Sequence, residues 1–335
     1  MTNNGETTKD KAYCNVLAIE KGLDPAGYAG VFDTAFALEL PLPWPRAILL
    51  EPDKLPPELV QLIEVYLNMP EEERPSIRPL FIAPDEVYST PGYRRFIYYT
   101  RPTGAFAEFD QHEYLIPEAE VGKLILALQQ KPETIPQFDS YRVNNDNVRD
   151  IMVCTHGSVD VACAKFGYPL YRHLRDEVAT DKLRVWRVNH FGGHVFAPTL
   201  MDMPRGDYWA FIDPDDGRRI VERDGDFAPL GKKYRGSAAL SYGFAQAMER
   251  DILLREGWDW MTYQRQGIEL AKDEGDSPGW AEVRITYQSE DGSVQGAYEG
   301  RVTIADHVKT IGSTGDEKTH AYPQYQVTRL VEHCT

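Results

Sequence analysis

The sequence is poor in cysteine, in long apolar runs, and in basic residues relative to acidic ones. Four cysteines in 335 residues are too few for a disulfide scaffold. Two of them, Cys14 and Cys334, lie near the ends of the chain, which leaves Cys154 and Cys163 as the pair for special chemistry. No apolar stretch approaches the ~18 residues of a membrane span; Ala47 to Leu50 and Leu124 to Leu128 are representative. Met1 to Lys11 lacks the basic start and apolar run of a secretory leader, so a soluble cytoplasmic protein with no membrane partner is expected. Lys plus Arg total 36 against 52 Asp plus Glu, a formal charge of −16. Such a body repels phosphate backbones, which argues against nucleic acid as a partner, and it attracts basic surfaces at long range.

The length exceeds the ~250 residues at which single cores stop growing, so two domains and an appendage are expected. The first ~30 residues lack sustained periodicity and read as an extension, residues 1–29. Ala35 to Leu40 and Arg46 to Leu50 read as strand-like runs around Pro41-Leu42-Pro43-Trp44-Pro45. Leu55, Leu59, Leu62, Ile63 and Tyr66 recur at helical spacing up to Pro70. Strands follow at Pro79 to Ala83, Tyr93 to Thr100 and Ala105 to Tyr114, then a helix with Val121, Leu124, Ile125 and Leu128 on one face. This alternation defines an α/β domain over residues 30–146, whose polar end, Pro132 to Asp146, is the linker candidate.

A second α/β cycle, residues 147–257, begins with a strand at Asp150 to Cys154. A helix over Val161 to Arg175 and strands at Leu183 to Val188 and Asp207 to Ile212 follow, with Arg219 to Val221 pairing beside them. Asp213-Pro214-Asp215-Asp216 reads as a solvated hairpin turn, and Ser237 offers an N-cap to a helix through Leu254 closed by Gly257. Residues 258–335 alternate as strands: Val283, Ile285 and Tyr287 share a face, Asp291-Gly292 is a turn, and Tyr298, Val302 and Ile304 share a face of the return strand. They form a small β appendage.

The residues that carry chemistry cluster in the second cycle. Cys154 ends a strand, Cys163 follows after eight intervening residues at a helix start, and the next strand leads into His190-Phe191-Gly192-Gly193-His194. Ends of strands are where sites form in open α/β sheets, and Gly157, Gly192 and Gly193 let backbone come close to a ligand. Two thiolates and two imidazoles suit either zinc or an iron-sulfur cluster. A structural zinc usually takes its cysteines from a tight Cys-x2-4-Cys knuckle, so the long Cys-x8-Cys loop favours the wider two-iron cluster. A zinc-stabilised interaction module remains the first alternative. A thiol-disulfide enzyme using Cys154 and Cys163 is the second, weakened by the missing Cys-x-x-Cys.

The run Cys154-Thr155-His156-Gly157-Ser158-Val159-Asp160-Val161-Ala162-Cys163-Ala164, the run His190 to Leu200, and Tyr234-Arg235-Gly236 resemble the sucrase/ferredoxin-like family. That family of thioredoxin-like [2Fe-2S] proteins includes the fungal actin-patch-distribution protein. Cys14 and Leu38-Glu39-Leu40-Pro41-Leu42-Pro43-Trp44-Pro45 extend the similarity toward the N-terminus. The resemblance implies a C-terminal thioredoxin-like ferredoxin domain holding a [2Fe-2S] cluster on Cys154, Cys163, His190 and His194; with the two similar α/β cycles, the fold expected is α/β, two thioredoxin-like domains in tandem, the first degenerate and the second carrying the cluster. Pro45 and Asn189 depart from the family's usual glycine and serine, and neither is a ligand position. The family's sugar-cleaving name predicts little, because no residue pair here argues for glycoside chemistry. The thioredoxin analogy also raises a cis Ala197–Pro198 bond against the trans form that base rates favour.

His156 is assigned a place behind the ligands, since the two-plus-two set is complete without it. Thr155, Gly157 and Asp160 supply turn geometry, backbone donors and a helix N-cap, and Arg235 is a counter-charge to the cluster, a contact for an anionic partner or, more simply, a surface salt bridge. The function expected is one-electron transfer or redox sensing with a basic reductase as partner, a carrier rather than a catalytic enzyme. Two sulfides and two ferric ions sum to +2, so two thiolates and two neutral imidazoles leave an oxidised cluster uncharged where four thiolates leave −2. The potential is then expected toward that of Rieske centres, roughly −150 to +300 mV. Because each histidine keeps one N–H that reduction makes less acidic, electron uptake is expected to carry a proton.

Overall fold

The computed structural model describes residues 12–334; Met1 to Lys11, read above as lacking a leader, fall outside the described residues, as does the Cys334 side chain. A short helix α1 (Cys14–Glu20) leads into β1 (Thr34–Glu39), α2 (Pro57–Asn68), β2 (Ile77–Ile82), β3 (Tyr93–Thr100), β4 (Asp110–Pro117), α3 (Val121–Gln130) and the two-residue β5 (Arg142–Val143). The second cycle comprises β6 (Arg149–Cys154), α4 (Val161–Glu177), β7 (Leu183–Val188), β8 (Leu200–Met203), β9 (Asp207–Trp209), α5 (Pro214–Glu222), β10 (Tyr234–Ser237) and α6 (Gly243–Glu256). Four strands close the chain: β11 (Gln264–Lys272), β12 (Trp280–Gln288), β13 (Gln295–Ile311) and β14 (Thr319–Cys334).

β1 to β10 form one mixed sheet in the order β10-β9-β8-β6-β7-β2-β1-β3-β4-β5. Its two halves repeat one connectivity. In the first, β1 and β2 are parallel around α2, β3 adds antiparallel to the free side of β1, and β4 pairs antiparallel with β3. In the second, β6 and β7 are parallel around α4, β8 adds antiparallel to β6, and β9 to β8. The halves join through their second strands, β2 and β7, antiparallel at Ile82 and Val188. Ala197–Pro198, just before β8, is cis.

The C-terminal strands form a separate antiparallel sheet, β11-β12-β13-β14. Alternation puts Ala281, Val283, Ile285 and Tyr287 of β12 on the buried face, where they share a core with Met248, Ile252 and Leu253 of α6 and Ile151 and Val153 of β6. β13 and β14 run 17 and 16 residues, well past the nine of β12. Their far end, residues 312–318, therefore reaches beyond the small sheet.

Several sequence expectations need correction. Arg46 to Leu50 is not a strand; it ends in a single 3-10 turn, Ile48–Leu50. Asp213 to Asp216 is no hairpin. Asp213 caps α5, accepting from the Asp216 N–H at 2.8 Å while the Asp216 carboxylate accepts from the Asp213 N–H at 3.3 Å, with Pro214 opening the helix. Arg219 to Val221 accordingly belongs to that helix, because Ile220 and Val221 recur on its buried face. Ser237 ends β10, its hydroxyl taken by the Arg265 guanidinium at 2.9 Å, and the helix starts six residues later behind Tyr242, with Gly257 closing it. The strand expected from Ala105 begins only at Asp110.

Candidate metal centre

β6 and β7 are parallel with Cys154 opposite Val188, so the chain leaving each strand emerges at the same sheet edge. α4 returns tightly against that edge because Gly167 faces it: a Cβ there would lie 2.0 Å from the Cys154 carbonyl oxygen. Cys163 sits in the first turn of α4, which Asp160 caps by accepting from the Ala162 N–H at 2.8 Å. Beyond β7 the chain reverses through Gly192 and Gly193, at φ +101° and +79°, a region that favours glycine. The reversal folds His194 back, its ring centroid 5.2 Å from that of His190.

The Cys154 and Cys163 sulfurs lie 3.9 and 3.8 Å from His190 Nδ1, and these three donor atoms all fall within 4.8 Å of one another. Both cysteines are buried free thiols. Hydrogen bonding with Cys163, aided by His190 and opposed by burial, pulls the Cys154 thiol well below its usual range; the same contact pushes Cys163 well above its own. His194 stands outside that tight triad. Its Nε2 lies 3.1 Å from Ser313 Oγ, while its Nδ1 is buried without a hydrogen-bond partner among the described residues. Burial, reinforced by His190, lowers the His194 pKa and leaves a neutral ring with a free nitrogen. Two sulfurs, one nitrogen facing them and a second nitrogen lacking a partner are the donor set a thiophilic metal group needs, so the residues present fit such a group.

The surrounding residues hold these side chains in place. His156, buried and lowered in pKa by that burial, accepts the His190 N–H at Nδ1 (3.1 Å), and its Nε2 lies 3.1 Å from the Pro45 carbonyl. Ser158 donates to the Trp44 carbonyl at 2.5 Å, so the Trp44-Pro45 loop of the first half braces the second. The Thr155 N–H donates to the Val188 carbonyl at 3.1 Å. Gly157 passes so close to α4 that a Cβ would meet that of Ala164 at 2.8 Å. At Gly193 a Cβ would lie 2.6 Å from Arg235 Nη2. Arg235 makes no surface salt bridge among the described residues: the side chain is buried and its guanidinium donates to the Gly192 and Tyr28 carbonyls at 3.3 and 2.8 Å.

Sequence reasoning missed the cover of the site. The tip between β13 and β14 brings Ser313 to His194 and Thr314 to Asp160, whose carboxylate accepts from the Thr314 N–H and hydroxyl, both at 2.7 Å. Cys14 of α1 is buried there too, its sulfur 3.5 Å from the His194 carbonyl oxygen. Gly312-Ser313-Thr314-Gly315 reads as an ordinary turn, so nothing local marks it. The Trp44-Pro45 contact did have a signal, in the family resemblance of that segment. On the other side an apolar groove of about 670 Å³, lined by α2, α3 and residues 46–50, opens onto His156 and His190.

The chain matches the sequence profile described as Sucrase/ferredoxin-like over residues 25–236. A curated relative, "Altered inheritance of mitochondria protein 32" of Meyerozyma guilliermondii, is 30% identical over 121 residues, a stretch covering 32% of this chain and 42% of that protein. The chain thus spans less than half the length of that relative. Among solved structures, a thioredoxin-like [2Fe-2S] ferredoxin from Aquifex aeolicus aligns with TM-score 0.23 and 14% identity, covering 27% of this chain and 92% of that one. Among the described residues no helix is long and apolar enough to cross a membrane.

Proposed function

The chain belongs to the sucrase/ferredoxin-like family, and from that membership we propose that it is a one-electron carrier or redox sensor holding a [2Fe-2S] cluster on Cys154, Cys163, His190 and His194. One observation carries the ligand set: the two sulfurs and His190 Nδ1 converge within 4.8 Å while His194 Nδ1, beside them, is buried and unpartnered. The cluster supplies one-electron redox chemistry when bound. Everything else is work for this chain's own residues.

Cys154 and Cys163 anchor through thiolates, and contact with Cys163 favours ionisation of Cys154. His190 is aimed by the His156 ring on its backbone N–H, and His194 keeps its remaining proton on Nε2, donated to Ser313 Oγ. The His190 Nδ1 facing the thiols leaves its proton at Nε2. Neutral imidazoles in place of two thiolates put the potential toward that of Rieske centres, roughly −150 to +300 mV, and make it fall with pH wherever an imidazole N–H titrates between the two redox states. Residues 30–146 and 147–257 are then two thioredoxin-like units, a reading supported by their repeated parallel pair and antiparallel hairpin. Residues 258–335 are the appendage. A basic reductase is the partner proposed on the formal charge of −16.

Iron, acid-labile sulfide and zinc measured on the purified protein, with spectra before and after dithionite, test this reading. Iron and sulfide in equal amounts with a red-brown, bleachable colour are expected. A colourless protein containing zinc, or neither metal, would replace the carrier with one of its alternatives.

A further inference from the structure

Four arginines are buried among the described residues. Arg184 is paired with Glu113 and Asp150, Arg205 and Arg265 with Asp207 and Glu249. Arg235, 3% exposed, pairs with no carboxylate among the described residues. Two carbonyls take two of its donors, its Nε is buried with no partner, and its guanidinium lies 4.9 and 5.4 Å from the ring centres of Phe196 and Tyr208. Carbonyls and ring faces offset only part of the cost of burying a full charge; burial correspondingly lowers the Arg235 pKa to about 10.

A second cation adds to this deficit. Arg78 of β2 is half-buried, its Nε also lacks a partner, and no ion pair is recorded for it among the described residues. Room for its guanidinium comes from Gly30, where a Cβ would lie 2.8 Å from Arg78 Nη2 and 3.3 Å from the Tyr208 hydroxyl. That hydroxyl is buried, with the Arg78 guanidinium as its polar neighbour. Arg78 and Arg235 both line one cleft of about 690 Å³, between residues 27–30, the His190 to His194 loop and the tip of β13 and β14. The carboxylate in its lining, Asp316, is exposed, accepts from the Ser313 N–H at 3.1 Å and pairs with neither arginine. In a chain where acids outnumber bases 52 to 36, two neighbouring arginines without an acid mark a place kept for charge from outside.

We propose that this cleft binds a small molecule through a phosphate or carboxylate group, held between Arg78 and Arg235. Guanidinium forks suit both groups, since each presents paired oxygens. The cleft abuts the His190 to His194 loop, so the ligand lies at the edge of the candidate metal centre. The inference goes beyond the carrier reading and stands apart from which metal is bound.

Thermal unfolding of the full chain in inorganic phosphate, in malonate and in chloride at equal ionic strength tests it, on protein as purified and after iron removal. A saturable stabilisation by phosphate or malonate over chloride is expected in both preparations. Arg78→Gln, at a half-exposed position that should still fold, is expected to weaken it at least tenfold, with Arg78→Lys intermediate. No stabilisation beyond chloride, or an undiminished one in Arg78→Gln, overturns the site. So does stabilisation seen only after iron removal, which assigns both arginines to the metal group. If the protein holds no iron at all, the carrier reading falls while the anion measurement still stands.

Discussion

Thr314 Oγ1 lies 2.7 Å from Asp160 Oδ1, across 154 residues of sequence. Asp160 therefore does two jobs: one oxygen also caps α4, the helix bearing Cys163, and the other takes the Thr314 N–H. The helix that bears Cys163 and the hairpin that covers the candidate site are fixed at one carboxylate.

Asp160→Ala removes a cap worth ~1 kcal/mol and hydrogen bonds to a charged group worth roughly 1.5–3 kcal/mol. A loss of about 2–4 kcal/mol in urea unfolding is expected, together with faster iron loss to a chelator. Burial acts to raise the Asp160 pKa, but the Thr314 and Ala162 donors hold it below its ordinary value. A depressed carboxylate contributes stability above its unfolded pKa, ~3.9, and loses it as pH falls through the lower folded value. Acid should therefore loosen the hairpin tip, read as faster amide exchange at residues 312–316 below pH 4.

Cys154→Ser and Cys163→Ser should each fold and hold little or no cluster, because each loses one of two thiolate anchors. Full visible absorbance in either variant would remove that cysteine from the site.

His156→Ala leaves the His190 N–H without its acceptor. A cost of about 1–3 kcal/mol is expected for the unsatisfied donor, with a shorter cluster half-life in air and an altered electron paramagnetic resonance spectrum of the reduced protein. An unchanged spectrum would show that His156 does not aim His190.

Burial pushes the Cys14 thiol up to about 11. Iodoacetamide at pH 8 should leave Cys14 unmodified in the folded chain and alkylate it once urea unfolds the protein, as mass spectrometry of the peptide would show. A thiol raised in this way contributes stability below its unfolded pKa, ~8.5, which fades as pH climbs toward 11.

Replacing either proposed histidine ligand by cysteine, His190→Cys or His194→Cys, would add a negative charge and remove a titratable N–H. If the cluster assembles, the potential should drop and its slope with pH flatten from a wild-type limit of ~59 mV per unit. A wild-type potential constant between about pH 6 and 10 would argue against histidine ligation.

What was legible in the sequence followed from local rules. The strand ending at Cys154, the helix carrying Cys163 and the apolar face of β12 all obey periodicities of two or 3.6 residues, which side-chain direction imposes. What escaped depends on partners distant in the chain. Ser313 and Thr314 matter only because β13 and β14 run past the small sheet, and Arg235 looks like a surface cation until Tyr28 and Gly192 are seen to surround it. The misread Asp213 to Asp216 run had a local signal, an aspartate three residues before another, which a capping box explains better than a turn.

Synthesis order gives the covering tip a further consequence. His194 and Ser313 are 119 positions apart, so at roughly 5–20 residues per second a ribosome finishes the His190 to His194 loop on the order of ten seconds before it makes Ser313. During that interval the candidate site has its donor side chains but no roof. Completion of the last two strands then shuts the door.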